Sequence, residues 1–156
     1  MKVVFAFVGG QKEEWLKEVT SLYLKKIGFY LSAEILQIRP SKIARGSSQQ
    51  KVAEESESIK KVLRPDDFLI VCDERGEQLS SIDFSKKVVR AIESGKSRIV
   101  FLVGGAFGLS DELKNRSNLT LSLSTLVFNH HIAQAVLLEQ VYRACTIWKN
   151  IPYHNE

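Results

Sequence analysis

Residues 3–8 read Val-Val-Phe-Ala-Phe-Val, six apolar positions in succession, nearly all β-branched or aromatic. A strand that does not alternate with polar residues is covered on both faces, which is the condition of a parallel sheet sandwiched between helices. The run is too short for a bilayer span or the core of an export signal, and Gln11-Lys12-Glu13-Glu14 follows closely. A cytoplasmic protein with no membrane partner is the expectation.

The rest of the chain alternates in the same sense. Trp15, Leu16, Val19, Leu22 and Tyr23 recur at helical spacing, with Lys12, Lys17 and Lys25 opposite. A second strand is expected over 33–38 and a second helix over 49–63, its inner face marked by Val52, Ile59 and Leu63. A third strand over 68–72 precedes a helix carrying Phe84, Val88, Ala91 and Ile92, opened by the capping pattern Ser80-x-x-Asp83. Residues 98–103 read as a fourth strand, ending in Gly104-Gly105-Ala106-Phe107-Gly108. A short helix over 111–115, a fifth strand over 119–123 and a long helix over 132–148 complete the series. Parallel strands need crossovers, and crossovers usually carry helices, so the pattern predicts an α/β fold. Its sheet is mainly parallel, with five to six strands and helices on both faces. At 156 residues, 44% hydrophobic and 26% charged, residues 1–156 are expected to form a single ordered domain.

Most motifs that carry chemistry fail here. Gly95-Lys96-Ser97 imitates the end of a phosphate-binding loop, but Arg90 stands where the earlier glycine is needed and the triplet precedes a strand. The glycines at 104, 105 and 108 do not fit the dinucleotide spacing, and no acidic residue follows at the distance that holds a ribose. His130, His131, His154, Cys72 and Cys145 lack zinc-ligand spacing, so no metal is expected. No G-x-S-x-G elbow occurs. The two cysteines, without an export signal, read as reduced buried thiols.

Two features survive. Glycines after the fourth strand let backbone groups approach a ligand at the carboxyl edge of a parallel sheet, or simply make a tight turn. Residues 121–131 (Leu-Ser-Leu-Ser-Thr-Leu-Val-Phe-Asn-His-His) mix hydroxyls with large apolar groups, as a site for a flat heterocycle does, or else form a strand end and a helix cap. The stretch 39–50 carries Arg39, Lys42 and Arg45 without an acidic residue, with Lys51 just beyond. It is either a solvated loop or a mobile basic one able to touch phosphates. A net charge of +4 mildly favours an anionic partner such as nucleic acid. The last helix is apolar nearly all round from Ile132 to Leu138, which predicts deep burial or a subunit interface.

Five segments in order sharpen the reading: Asp73-Glu-Arg-Gly-Glu-Gln-Leu-Ser-Ser81, Gly104-Gly-Ala-Phe-Gly-Leu-Ser110, Leu121-Ser-Leu-Ser124, Leu138-Glu-Gln-Val-Tyr-Arg-Ala144 and Pro152-Tyr-His154. Together they resemble the ribosomal RNA large subunit methyltransferase H family of the SPOUT superfamily, over essentially the whole chain. The resemblance implies a C-terminal trefoil knot, a homodimer, S-adenosylmethionine as methyl donor, and N3 methylation of a pseudouridine in the decoding-centre helix of 23S rRNA within the ribosome. By motif match it implies donor binding at Cys72, Gly104, Leu123, Ser124, Thr125, Leu126, Val127 and Phe128. The chain departs from the family pattern at Asn129, Gln134 and Asn155, where proline, arginine and a basic residue are usual.

Such a reaction needs an in-line arrangement of nucleophile, methyl carbon and sulfur, and a group to take or stabilise the charge as the imide nitrogen loses its proton. His154, Glu139 and His130 are the candidates, with Arg143 or Tyr153 binding phosphate or orienting the base. Glu139 is equally placed to be a structural partner of Arg143 at i+4, and His154 to be a solvated terminal residue. Two rival functions stand beside this one: a non-enzymatic rRNA-binding module, and a flavodoxin-like protein that binds a small ligand.

Overall fold

The computed structural model describes residues 1–155. Its elements are β1 (Lys2–Val8), α1 (Glu14–Ile27), β2 (Ser32–Ile38), α2 (Ser48–Lys60), β3 (Phe68–Gln78), α3 (Ser81–Glu93), β4 (Arg98–Val103), α4 (Asp111–Arg116), β5 (Leu119–Ser122) and α5 (His130–Trp148). The strands form one five-stranded sheet in the order β2-β1-β4-β3-β5, and every pairing is parallel. A flavodoxin-like sheet runs 2-1-3-4-5; here the third and fourth strands are exchanged, which sets the chain apart from that rival.

The apolar run of β1 does what its composition demands. Val3, Phe5 and Phe7 enter one core with Ile27, Phe84, Val88, Leu137, Leu138 and Val141, supplied by α1, α3 and α5. Val4, Ala6 and Val8 enter the other with Ile59, Leu63, Leu109 and Leu113. All six side chains of the run are 0% exposed, each large one contributing about 1.5–3 kcal/mol by burial. Phe5 stacks on Phe101 of β4 at 5.4 Å between ring centres, and Phe84 meets the same ring edge-on.

Three local expectations are corrected. Trp15 and Leu22 of α1 are exposed, whereas Leu16, Thr20 and Ile27 are buried; the apolar stripe is wider than the face the sheet covers. Helix α2 stops at Lys60, before the buried Leu63, and buries Glu55 and Ser56 alongside Ile59. It does so because it packs on the turn after β4 as well as on the sheet: Ser56 Oγ lies 3.0 Å from Ser110 Oγ. The basic stretch is tethered, since the Ser41 N–H donates to Glu55 Oε1 at 2.9 Å and the Ser41 hydroxyl to Glu54 Oε2.

Arg98, opening β4, and Asp67, just before β3, form a buried bidentate pair with Nε–Oδ1 at 2.7 Å and Nη2–Oδ2 at 2.6 Å. Burial pushes the Asp67 carboxyl up, but the guanidinium and the Arg64 N–H outweigh it and hold it below the ordinary carboxylate range. A carboxyl depressed by folding adds stability above its unfolded pKa, and that stability is lost as the pH falls through the folded value. Thermal melts taken from about pH 5 down to about pH 2 should therefore fall more steeply for the wild type than for Asp67→Asn, which has no carboxylate to protonate. Parallel acid limbs would contradict this.

Candidate functional site

Strand β4 ends at Val103, in register with Cys72, and β3 continues past it along β5. The chain leaves β4 through Gly104 and Gly105 and doubles back at once, the Gly108 N–H donating to Gly105 O at 3.1 Å. Gly108 has φ +80, a conformation that glycine adopts without penalty. A Cβ on Gly104 would lie 3.0 Å from Gly108 O and from Leu109 Cγ and Cδ2, so no side chain fits there. The turn presents bare backbone to the sheet edge.

The opposite wall follows β5. The Ser122 hydroxyl donates to Ser124 O at 3.0 Å, and Ser124 Oγ accepts from the Leu126 N–H at 3.0 Å. These side-chain bonds replace a ladder and hold the segment as a curved strap. Asn129 then caps α5, its Oδ1 accepting the His131 N–H at 2.8 Å, so the usual proline is replaced by a residue that still starts a helix.

Between turn and strap lies a cleft of about 440 Å³. Of the sequence-predicted donor residues, Cys72, Gly104, Leu123, Ser124, Leu126, Val127 and Phe128 line it; Thr125 belongs to the strap without lining the cleft. Leu126 and Val127 are 71% and 79% exposed, forming an apolar lip. His130 also lines the cleft. Burial, with the adjacent His131 charge, holds its imidazole below the usual histidine range, so it is neutral at pH 7. Burial, with Asp73 nearby, pushes the Cys72 thiol up to about 12. That thiol is an inert wall and not a nucleophile.

Sequence reasoning assigned no site role to four charged neighbours, Asp73, Glu74, Arg75 and Lys114. Lys114 Nζ sits 2.9 Å from Asp73 Oδ2. Burial raises the Asp73 carboxyl, but Lys114 and the Arg75 N–H hold it below the usual range. Only their closeness to the glycine turn marks them, and the fold creates that closeness. Gln134 on α5 is 0% exposed with neither amide atom hydrogen-bonded.

The remaining candidates gather elsewhere. Glu139 Oε1 accepts from Arg143 Nη2 at 2.6 Å and from the Tyr153 hydroxyl at 2.9 Å, while Arg143 Nη1 lies 3.3 Å from His154 Nδ1. Arg143 also covers the Tyr153 ring at 4.6 Å. Tyr153 meets Tyr142 edge-on, and the Lys26 ammonium caps both rings. Burial and the Glu139 carboxylate hold the Tyr153 hydroxyl protonated, well above the usual phenol range. The i+4 pairing of Glu139 with Arg143 is therefore present, and the terminal histidine is docked. None of Glu139, Arg143, Tyr153 and His154 lines the cleft. Along α5, Glu139 stands about 13 Å and Arg143 about 20 Å beyond His130, at 1.5 Å per residue. One chain therefore holds its candidate residues in two separate groups.

Known proteins bear on this geometry. The family model described as "Predicted SPOUT methyltransferase" matches residues 1–154. The chain is 46% identical over 155 residues to the "Ribosomal RNA large subunit methyltransferase H" of Bdellovibrio bacteriovorus, with 99% of each chain covered. It is 38% identical over 154 residues to the protein of that name from Dictyoglomus thermophilum, again with 99% of each covered. Among solved structures, a probable methylase family protein from Haemophilus influenzae Rd KW20 shares the fold, with a TM-score of 0.55 at 14% identity, over 99% of this chain and 70% of that one.

Proposed function

The chain belongs to the SPOUT methyltransferase family, and from that premise we propose that it methylates large-subunit ribosomal RNA with S-adenosylmethionine, at N3 of a pseudouridine in the decoding-centre helix of 23S rRNA. The observation that carries this reading is the backbone-walled cleft where β3, β4 and β5 end. Its volume lies within the range of small-molecule sites, roughly 300–1,000 Å³. The glycine backbone of Gly104, Gly105 and Gly108 on one wall and the apolar lip of Leu126 and Val127 on the other fit a flat nucleoside gripped by main-chain amides. Cys72, Gly104 and the strap residues Leu123, Ser124, Thr125, Leu126, Val127 and Phe128 would hold the donor, which supplies a methyl group already activated by its sulfonium.

The protein's task is then alignment and proton management. Positioning can account for about 7–11 kcal/mol of barrier lowering, and a site made mostly of constrained backbone suits that role. His130, neutral and in the cleft, can accept a proton there. We assign Glu139, Arg143, Tyr153 and His154 to the acceptor side, where Arg143 and Tyr153 would bind phosphate or orient the base and His154 or Glu139 would take the imide proton. Because they lie away from their own chain's cleft, this assignment requires a homodimer in which one copy's cluster faces its partner's donor. Exposed Trp15 and Leu22 on α1 and Ile132 on α5 give such an interface apolar area.

Membership of the family implies a C-terminal trefoil knot. Among the described residues no helix is long and apolar enough to cross a membrane, and a ribosomal substrate places the enzyme in the cytoplasm. Tritiated S-adenosylmethionine, incubated with the protein and with ribosomes from a strain lacking this activity, should label 23S rRNA. Running 50S and 70S particles separately identifies the acceptor particle. Unlabelled rRNA bound equally well with or without the donor would overturn the reading in favour of a non-enzymatic module.

A further inference from the structure

Between residues 39 and 51 the chain carries Arg39, Lys42, Arg45 and Lys51 and no acid. Arg39, Lys42 and Arg45 are exposed, and among the described residues none of the four has a salt-bridge partner. The nearest carboxylates are engaged by the segment's own backbone and hydroxyl. Glu54 accepts the Ser41 hydroxyl and the Lys42 N–H, and Glu55 accepts the Ser41 N–H. Those bonds hold the Glu54 carboxyl below its usual range, so it stays a charged clamp on the backbone. At the other end Ser47 and Gln50 form a reciprocal cap on α2. The segment is thus fixed in shape while its cations are left to solvent.

The same helix ties this segment to the donor cleft. Glu55 is 6% exposed, its Oε2 has no partner, and both carboxylate oxygens lie where a Cβ on Gly105 would come within 3.1–3.2 Å. The Lys51 ammonium sits 4.9 Å above the ring of Phe107, which lines the cleft and is 51% exposed. A cation over an exposed aromatic, next to a row of unpaired arginines and lysines, is the pairing of phosphate contact and stacking platform found where proteins hold unpaired nucleotides.

We propose that residues 39–51 are a preformed phosphate-binding arm for the substrate rRNA, set on the donor-side rim of the cleft and held against the glycine turn through Glu55. The inference deepens the function proposed above and rests on it. Phosphate neutralisation releases counterions, so each contact contributes about 0.7 to 0.9 to the slope of log affinity against log salt.

The triple variant Arg39→Gln, Lys42→Gln, Arg45→Gln should raise the KM for ribosomal particles on the order of tenfold or more and flatten its salt slope by about 2 to 3. Calorimetric S-adenosylmethionine affinity and kcat should stay near the wild-type values, because the arm touches neither donor nor reacting atoms. Arg39→Lys with Arg45→Lys should keep the slope, since phosphates are met as charge. If the wild type labels rRNA and the triple variant shows unchanged KM and slope, the arm is wrong and the function stands. If the wild type transfers no label, the function fails and the arm with it.

Discussion

Alanine at Gly76 is expected to destabilise the protein by about 3 kcal/mol or more, at the upper end of what overpacking costs. After Cys72 the third strand leaves its ladder, and at Glu77 it rejoins opposite the same Leu121. Gly76 lies in the excursion, where an added Cβ would stand 2.6 Å from Thr120 O and 2.7 Å from the carbonyl carbons of Thr120 and Leu121. Those are backbone atoms of β5 and cannot rotate aside as a side chain can. The demand is steric and not conformational, because Gly76 is not among the glycines with positive φ. Relief needs β5 to shift, which strains its pairing on both sides of the excursion and moves Leu121, itself part of the cleft. Donor affinity should fall together with stability.

Gly95→Ala is the matching control. Gly95 has φ +74 with nothing within 4 Å of the added carbon, so its cost should be limited to the roughly 1–2 kcal/mol of a left-handed residue. Urea denaturation of both variants reads the difference. A Gly76→Ala midpoint at or above that of Gly95→Ala would show that the two strands do not approach so closely.

That close approach also marks where a linear reading of the chain stops. Residues 3–8 announce their role through unbroken hydrophobicity, because a strand buried on both faces has no polar side to show. The glycine turn after β4 is legible for a related reason, since a chain that must reverse without side chains uses glycine. The second half of β3 carries no such mark. Arg75, Glu77 and Gln78 are polar, as befits a strand end outside the layer the helices cover, so periodicity places the end of β3 at Cys72. Strand order is invisible in alternation alone, which permits a flavodoxin-like sheet as readily as the one formed.

The site divides along the same line. The strap and the turn, each a short continuous segment, are among the stretches that carry the family resemblance, and with Cys72 of β3 seven of the residues expected from it line one cleft. Asp73 and Arg75 of β3 meet Lys114 of α4 only because the fold packs those elements together, and charged residues of this kind ordinarily mean solvation. Tyr153 is held by Lys26 and Tyr142, from α1 and α5. No local pattern could pair a C-terminal tyrosine with a lysine in the first helix.

Two inactive variants should restore activity to each other when mixed. Gly104→Val distorts the glycine turn that walls the cleft, since its Cβ would press on Gly108 O and Leu109 at 3.0 Å, and leaves the distant cluster intact. His154→Ala with Glu139→Gln removes the candidate proton acceptors of that cluster and leaves the cleft intact. Each homodimer should lose about 10²- to 10⁴-fold in kcat, the usual worth of a general base and of a comparable donor defect. If each active site combines one copy's cleft with its partner's tail, a mixed dimer holds one site with both defects and one with none. Random exchange of subunits makes half the dimers mixed, so about a quarter of wild-type activity should return, for a closed two-fold assembly. If the cluster served its own chain's cleft, every site in the mixture would carry one defect and activity would stay at the level of the separate variants. The rise of methyl transfer with time after mixing, read beside a Gly104→Val sample mixed with itself, distinguishes the two arrangements. Absence of recovery in a sample shown to have exchanged subunits would confine each active site to a single chain and overturn the shared arrangement.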